Sequence, residues 1–256
     1  MNLGLKGKTV VITGSNKGLG AGMIRVFSEE GANCVINYYN DKEDSERFAQ
    51  EIMDTYGNKA IAVQGDVSKE EDIIRLFDTA EEVFGQVDIW VNNAYNNNGT
   101  KGPIDTFDNS KFQYVEKLVV EACMISAREM VTRCKKKGIQ GHIVNMSSKS
   151  AFLTSSPDHL CYIAVKSAVA GITRGLAYEC AKDGIWVNAI IPGYAVNSRT
   201  DFNSERYKRT VQYIPSKRYA TPEEIGNVVA FVCSEKACQM NGVLVDVTGG
   251  TMTGQM

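Results

Sequence analysis

The sequence predicts an α/β fold, a single doubly wound parallel sheet with helices on both faces. Three observations point there. Short β-branched apolar runs recur along the chain, several of them apolar at nearly every position, as parallel strands covered on both faces require. Amphipathic stretches of helical period separate them at the rhythm of βαβ units. A glycine-rich turn, TGSNKGLG (13–20), follows the first run and opens the first helix. At 256 residues, 43% hydrophobic and 23% charged, the chain can bury a full core without staples, so residues 1–256 are taken as one domain.

The elements follow in order. TVVITG (9–14) is the first strand, with a helix near 19–30. NCVINY (33–38) leads to a helix at 42–56, AIAVQGD (60–66) to one at 69–84, and VDIWVNN (87–93) to a long one at 108–137. HIVNMSS (142–148) precedes a helix at 160–182, IWVNAIIP (185–192) precedes one at 222–234, and GVLVDV (242–247) ends the series. Right-handed crossovers are the default. Between Pro192 and Pro222 the periodicity weakens and aromatic and polar residues mix. That interval would overhang the carboxyl ends of the strands, where ligands bind in such sheets, and 193–221 is read as a substrate lid.

Several function classes drop out on composition. A net charge of −2 and a pI near 5.8 leave no footprint for nucleic acid or an anionic membrane. The basic run from Arg133 to Gly138 fits a solvated helix C-terminus. The N-terminal residues do not read as a signal peptide, and no apolar run is expected to span a bilayer. Seven scattered cysteines suggest reduced thiols and a cytoplasmic protein. No metal is expected, since Cys233 and Cys238 lack a second pair or a histidine. His142 is expected to be structural at a strand start. His159 lies in a polar loop, solvated or facing a substrate. A hydrolase lacks a placed nucleophile–histidine pair.

The turn at 13–20 has the physical logic of a dinucleotide site. Gly14 permits the tight turn, Gly18 lets the backbone approach a pyrophosphate, and Gly20 allows close packing, with Ser15, Asn16, Lys17 and Leu19 between them. The helix start offers free N–H groups to the anion. At the end of the second strand an acidic residue would accept from a ribose 2′-hydroxyl; here Tyr38 stands there, after Asn37, and Asp41 comes too late. Lys17 can pair with a 2′-phosphate, so NADP(H) is favoured and NAD(H) is the alternative. Asp66 can accept from the adenine amino group while Val67 covers the ring. Asn92 is expected to tie strand ends through the backbone, with Asn93 and Ala94 beside the cofactor.

CYIAVK (161–166) places Tyr162 and Lys166 four apart on one helix face. Packing explains such a pair as well as proton transfer does, and local sequence does not choose between them.

The ordered set TGxxxGxG (13–20), GDV (65–67), NNA (92–94), IVNMSS (143–148), YxxxK (162–166) and PG (192–193) resembles the short-chain dehydrogenase/reductase family over essentially the whole chain. So do the Pro-Glu-Glu helix start at 222 and GVLVDVTGG at 242–250. The resemblance implies a Rossmann-type fold and hydride transfer between a nicotinamide and a secondary alcohol or ketone. It implies Tyr162 as general acid/base, Lys166 lowering the phenol's pKa and holding the nicotinamide ribose, and Ser148 orienting the substrate oxygen. Ser148 lies one residue further from Tyr162 than the family spacing, so Ser147 is the alternative. Pro192 and Gly193 join the cofactor set, and a homotetramer is implied.

Three positions depart from that pattern. Tyr95 follows NNA where glycine is common, and should reshape the substrate site or supply an aromatic wall. Val119 falls where the family carries an asparagine that holds a relay water, and Thr248 replaces an aspartate. The lid aromatics Tyr194, Phe202, Tyr207, Tyr213 and Tyr219, with arginines between, suit a bulky alicyclic or hydroxysteroid alcohol bearing a carboxylate, such as a bile acid. A 3-oxoacyl thioester, a sugar, and a nucleotide-binding regulator with weakened catalysis are the alternatives.

Overall fold

Residues 2–153 and 157–253 are described by the computed structural model. Seven strands, β1 (Thr9–Ile12), β2 (Asn33–Tyr38), β3 (Ala60–Gln64), β4 (Ile89–Asn92), β5 (Gly141–Met146), β6 (Ile185–Pro192) and β7 (Leu244–Val247), form one sheet in the order β3-β2-β1-β4-β5-β6-β7. Every pairing is parallel. The eight helices of the described residues are α1 (Gly18–Glu29), α2 (Lys42–Tyr56), α3 (Glu70–Phe84), α4 (Asn109–Glu116), α5 (Ala122–Lys137), α6 (Leu160–Cys180), α7 (Glu205–Gln212) and α8 (Pro222–Val232).

Alternation along each strand feeds two cores. Val10 and Ile12 point to the face covered by α1, α2 and α8, where Met23, Phe27, Ile52 and Val229 are fully buried. Val11 points to the opposite face, with Phe77 of α3, Met130 of α5 and Val165 of α6. Phe77 stacks on Trp90 of β4 at 4.2 Å and 8°. Burying side chains of this size contributes roughly 1.5–3 kcal/mol each. β1 pairs with both β2 and β4, so the order of the sheet reverses there and a crevice opens at the strand ends.

Three features differ from the sequence expectation. The long helix at 108–137 is interrupted by a π turn at Lys117–Glu121, between α4 and α5, and Val119 lies inside it. The lid contains a helix, α7, whose start is capped by the Ser204 hydroxyl accepting from the Tyr207 N–H at 3.2 Å; it buries no residue, so its sequence carries little apolar signal. α6, with its 3-10 extension to Asp183, does contain an apolar window long enough to cross a membrane, with a mean hydropathy of 1.3. In the fold its apolar face lies against the sheet and it carries Tyr162 and Lys166.

The lid is pinned at its base. Val196 N–H donates to the Ala220 carbonyl at 2.9 Å, and Ala220 N–H donates to the Tyr194 carbonyl at 3.0 Å. Thr221 and Glu224 then form a capping box that starts α8. Arg218 grips Glu224 with two bonds of 2.6 Å and holds its carboxyl down at about 2, below the usual carboxylate range.

Candidate active site

The ends of β1 and β4 are locked together by Thr13 and Asn93. The Thr13 hydroxyl accepts from the N–H groups of Asn93 (2.9 Å) and Ala94 (3.0 Å). The Asn93 amide donates to the carbonyls of Thr13 (2.8 Å) and Gly14 (3.1 Å), the backbone tie expected of Asn92. Asn92 instead points into the sheet, donating to the side chains of Asn145 (2.8 Å) and Ser126 (3.0 Å). Successive side chains on a strand face opposite ways, so the tie falls to the next residue, Asn93. Gly14 has φ +59, and Gly20 has no room for a side chain: a Cβ there would lie 2.5 Å from Ser15 Cα.

A cleft of about 540 Å³ opens at this point. Of the residues expected around a dinucleotide, Gly14, Asn16, Lys17, Leu19, Gly20, Asp66, Val67, Asn93 and Ala94 line it. Ser15 is buried, its hydroxyl donating to the Ile12 carbonyl at 2.7 Å; Gly18 forms the turn at φ +60. Pro192 and Gly193 lie further along, between the ends of β6 and β7, outside the cleft lining. No side chain caps α1, so its first N–H groups remain available to an anion. Asp66 is buried and one of its oxygens accepts from Ser68.

Tyr38 does not line the cleft; its side chain is buried, and Tyr39, Asn40 and Asp41 take the place expected for it. Asp41 reaches the cleft because its backbone turns left-handed at φ 69 ahead of α2. Its carboxylate pairs with Lys17 Nζ at 3.0 Å. The cation expected to meet a 2′-phosphate thus already has an exposed partner.

Ser147 and Ser148 leave β5 in opposite directions. Ser147 turns inward, its hydroxyl donating to the Lys166 carbonyl at 3.0 Å. Ser148 accepts from the Ser150 N–H at 3.2 Å and faces Tyr162 across the site. Residues 154–156 of the segment between Ser148 and Tyr162, where the one-residue insertion falls, lie outside the described residues. Lys166 is 4% exposed and its Nζ donates to the Met146 carbonyl at 2.6 Å.

Burial dominates the protonation of this pair. It raises the Tyr162 phenol above its ordinary value, and the Ser148 hydroxyl pulls it part of the way back. It lowers Lys166 to about 8, against a small upward pull from Cys123. The expected lowering of the phenol by Lys166 is therefore not what the protein shows without cofactor: the ammonium is 5.9 Å from the Tyr162 ring centre, and desolvation outweighs it.

Tyr95 and His159, both singled out in the sequence, stand beside Tyr162. Tyr95 meets Tyr162 edge-on at 4.9 Å and 62°, and His159 meets it at 6.2 Å and 71°. These three, with Asn97, Thr100, Lys101 and Asp158, line a cavity of about 150 Å³. His159 thus faces a pocket. Burial lowers its pKa, helped by Lys101 and Arg206 and opposed by Asp158. Within the lid itself, Tyr194 stacks on Tyr219 (5.3 Å), Tyr207 meets Tyr219 edge-on (4.8 Å), and Phe202 meets Tyr207 (5.1 Å). A pocket of about 310 Å³ beside them includes Arg199 and Arg206, and Arg199 also lines the dinucleotide cleft. The buried Lys149 places Nζ 4.2 Å over the Tyr194 ring. Behind the lysine, Val119 is buried and its carbonyl accepts from the Cys123 thiol at 3.1 Å.

Tyr162 lines the small cavity next to the nucleotide-sized cleft, with Ser148 facing it and Lys166 buried, outside the cleft lining itself. This arrangement suits an NAD(P)-dependent oxidoreductase, the class that the relatives define. The chain belongs to the short-chain dehydrogenase/reductase family. Residues 14–252 match a family model described as enoyl-(acyl carrier protein) reductase. The chain is 38% identical to 3beta-hydroxysteroid dehydrogenase 1 of Eggerthella lenta, over 96% of this chain and 94% of that one. It is 35% identical to glucose 1-dehydrogenase 2 of Bacillus subtilis, over 96% and 95%. The structure of L-sorbose reductase from Gluconobacter frateurii complexed with NADPH and L-sorbose superposes with a TM-score of 0.85, at 28% identity and full coverage of both chains.

Proposed function

We propose that this protein uses NADP(H) to interconvert a secondary alcohol and a ketone on a bulky alicyclic, hydroxysteroid-like body. The observation that carries the reaction is Tyr162 facing Ser148 above the buried Lys166. In reduction, the Ser148 hydroxyl orients the substrate oxygen and the Tyr162 hydroxyl gives it a proton; in oxidation Tyr162 takes the proton back. When bound, the nicotinamide supplies or accepts the hydride, and its oxidised form brings a positive charge beside the phenol. Lys166 keeps one N–H on the Met146 carbonyl and offers the others to the ribose hydroxyls. Burial of Tyr162 keeps the phenol protonated at neutral pH, which suits a proton donor.

Two observations support NADP(H): Lys17 lies at the cleft, and a structural relative is complexed with NADPH. Asp41 beside Lys17 supports NAD(H) as the alternative. Gly14, Ser15, Asn16, Lys17, Gly18, Leu19 and Gly20 would hold the pyrophosphate end, Asp66 and Val67 the adenine, and Asn93 and Ala94 the ribose and nicotinamide. The aromatic stack and the two arginines of the lid, 193–221, support an apolar body carrying a carboxylate. The polar rim of Asn97, Thr100, Lys101 and Asp158 favours a sugar as the second reading. Exposed Met124 on α5, Tyr178 on α6 and Phe231 on α8 support assembly into a homotetramer, and seven free thiols a cytoplasmic setting.

The test is NADPH consumption with a 3-keto bile acid, cyclohexanone, L-sorbose and an acetoacetyl thioester. The keto acid is expected to give the highest kcat/KM. A preference for L-sorbose would move the assignment to the sugar reading. NADPH binding without turnover of any ketone would leave a nucleotide-binding regulator.

A further inference from the structure

Tyr95 occupies the partition between the two cavities of the active site. It lines the large cleft beside Asn93 and Ala94, and the 150 Å³ cavity beside His159 and Tyr162. Its ring edge contacts Tyr162, and Lys166 Nζ lies 5.5 Å from its centre. Among the described residues its hydroxyl has no hydrogen-bond partner, so the ring makes the contacts that matter here. A glycine at this position would leave Tyr162 and Lys166 open toward the cleft.

We propose that the Tyr95 ring is the wall that selects ring-shaped substrates and the cover that keeps water from Lys166. The proposal rests on the oxidoreductase reading above. Tyr95 and His159 line one cavity with Tyr162, both steeply inclined to its ring, at 62° and 71°. A ketone within a flat ring system can slide between them with its oxygen toward Tyr162 and one face on an aromatic surface. An acyclic ketone gains no such face, and loss of an aromatic contact of this kind costs about three- to tenfold in affinity.

The covering role follows from what surrounds Lys166. The titratable groups facing it are Cys123 of α5, Tyr162 of its own helix and Tyr95 itself; no carboxylate does so among the described residues. Its one hydrogen bond is to a backbone carbonyl. The ammonium is held away from water by the Val119–Cys123 side behind and the Tyr95 ring in front. Removing the ring admits water from the cleft and moves the lysine back toward its ordinary basicity.

The test compares Tyr95→Gly and Tyr95→Phe with the wild type, using NADPH and two ketones, 2-decalone and 2-butanone. For Tyr95→Gly, KM for decalone is expected to rise about tenfold while KM for butanone stays within about twofold. The alkaline limb of kcat/KM moves to higher pH. Tyr95→Phe keeps the ring and is expected to restore both readouts. Melting temperature and NADPH fluorescence titration establish that both variants fold and bind cofactor. An unchanged decalone-to-butanone ratio in Tyr95→Gly overturns the selecting role. The covering role has a readout independent of turnover: acylation of Lys166 by dilute acetic anhydride, followed by peptide mass mapping. Labelling is followed from pH 7 to 10, so that the rise in basicity is separated from access. The rate constant of the neutral amine is expected to be severalfold higher in Tyr95→Gly but not in Tyr95→Phe; an equal rate constant overturns the cover. A wild type that reduces neither ketone refutes the functional reading and with it the selecting role, while the labelling result still decides the cover.

Discussion

Replacing Lys166 with methionine keeps an unbranched, flexible apolar stem and removes the charge. The ammonium is 4% exposed, donates to one carbonyl, and faces no carboxylate among the described residues. Burial lowers its pKa from 10.5 to about 8. At 1.36 kcal/mol for each pH unit, that gap corresponds to about 3 kcal/mol of stability withheld while the lysine is charged in both states. Below pH 8 both the folded and unfolded chains carry the proton and the full cost is present. Between pH 8 and 10.5 the folded chain has released it and the unfolded chain has not, so stability rises with pH. The stability of the wild type minus that of Lys166→Met should therefore climb across this window, by up to about 3 kcal/mol. Urea unfolding of both proteins at pH 7, 8, 9 and 10, followed by tryptophan fluorescence, measures the difference; groups common to both cancel. At pH 7 the variant gains the desolvation energy and loses the donor to Met146, worth about 1–3 kcal/mol, so the two terms largely offset. A flat difference across the window would refute the claim that the lysine is desolvated.

Three further outcomes are expected. Tyr162→Phe should lower kcat by about a hundredfold or more with NADPH binding retained, as removal of a proton donor requires; near-normal turnover removes Tyr162 from the mechanism. Asp41→Asn frees Lys17 and removes a carboxylate from the adenosine end of the cleft. The ratio of KM for NADH to KM for NADPH should rise about threefold, in line with an exposed pair, and an unchanged ratio means Asp41 does not face the 2′ position. His142 stacks on Trp186 with Nδ1 unpartnered, and burial lowers its pKa from 6.5 to about 4. As pH falls through that interval the unfolded chain takes up a proton the folded chain refuses, and up to about 3 kcal/mol is lost. His142→Phe should abolish this part of the acid sensitivity; equal acid slopes in urea titrations would contradict it.

The sheet and its order of elements were legible because burial on both faces forces apolar residues at nearly every strand position, a pattern that survives in one dimension. Tyr162 and Lys166 were legible as a pair because helical spacing fixes their common face. The choice between Ser147 and Ser148 was not, since it depends on which way the chain leaves β5. Asp41 reads as too late in the chain because nothing in the pattern shows the one left-handed residue that swings it back toward the cleft. The π turn at Lys117–Glu121 leaves the apolar rhythm of Val115, Leu118, Val119 and Ala122 unchanged, so nothing in the pattern announces it. Helix α7 buries no residue, and its only local mark is the Ser204 cap.

Val119 and Tyr95 look like unrelated departures when motifs are compared one at a time. In the fold they bear on one group. Val119 lines the small cavity on the inner side of Lys166 with a side chain that binds no water, and its carbonyl is already engaged by Cys123. Tyr95 lays a ring on the outer side. An asparagine at the first position and a glycine at the second would each bring water or a dipole to the ammonium. Among the described residues Lys166 has the Met146 carbonyl as its only hydrogen-bond partner, and burial lowers its basicity. With its basicity lowered by burial to about 8, the lysine loses its proton between pH 8 and 10.5, where an ordinary lysine still holds it. Val119 and the Tyr95 ring thus act together on the surroundings of the same side chain.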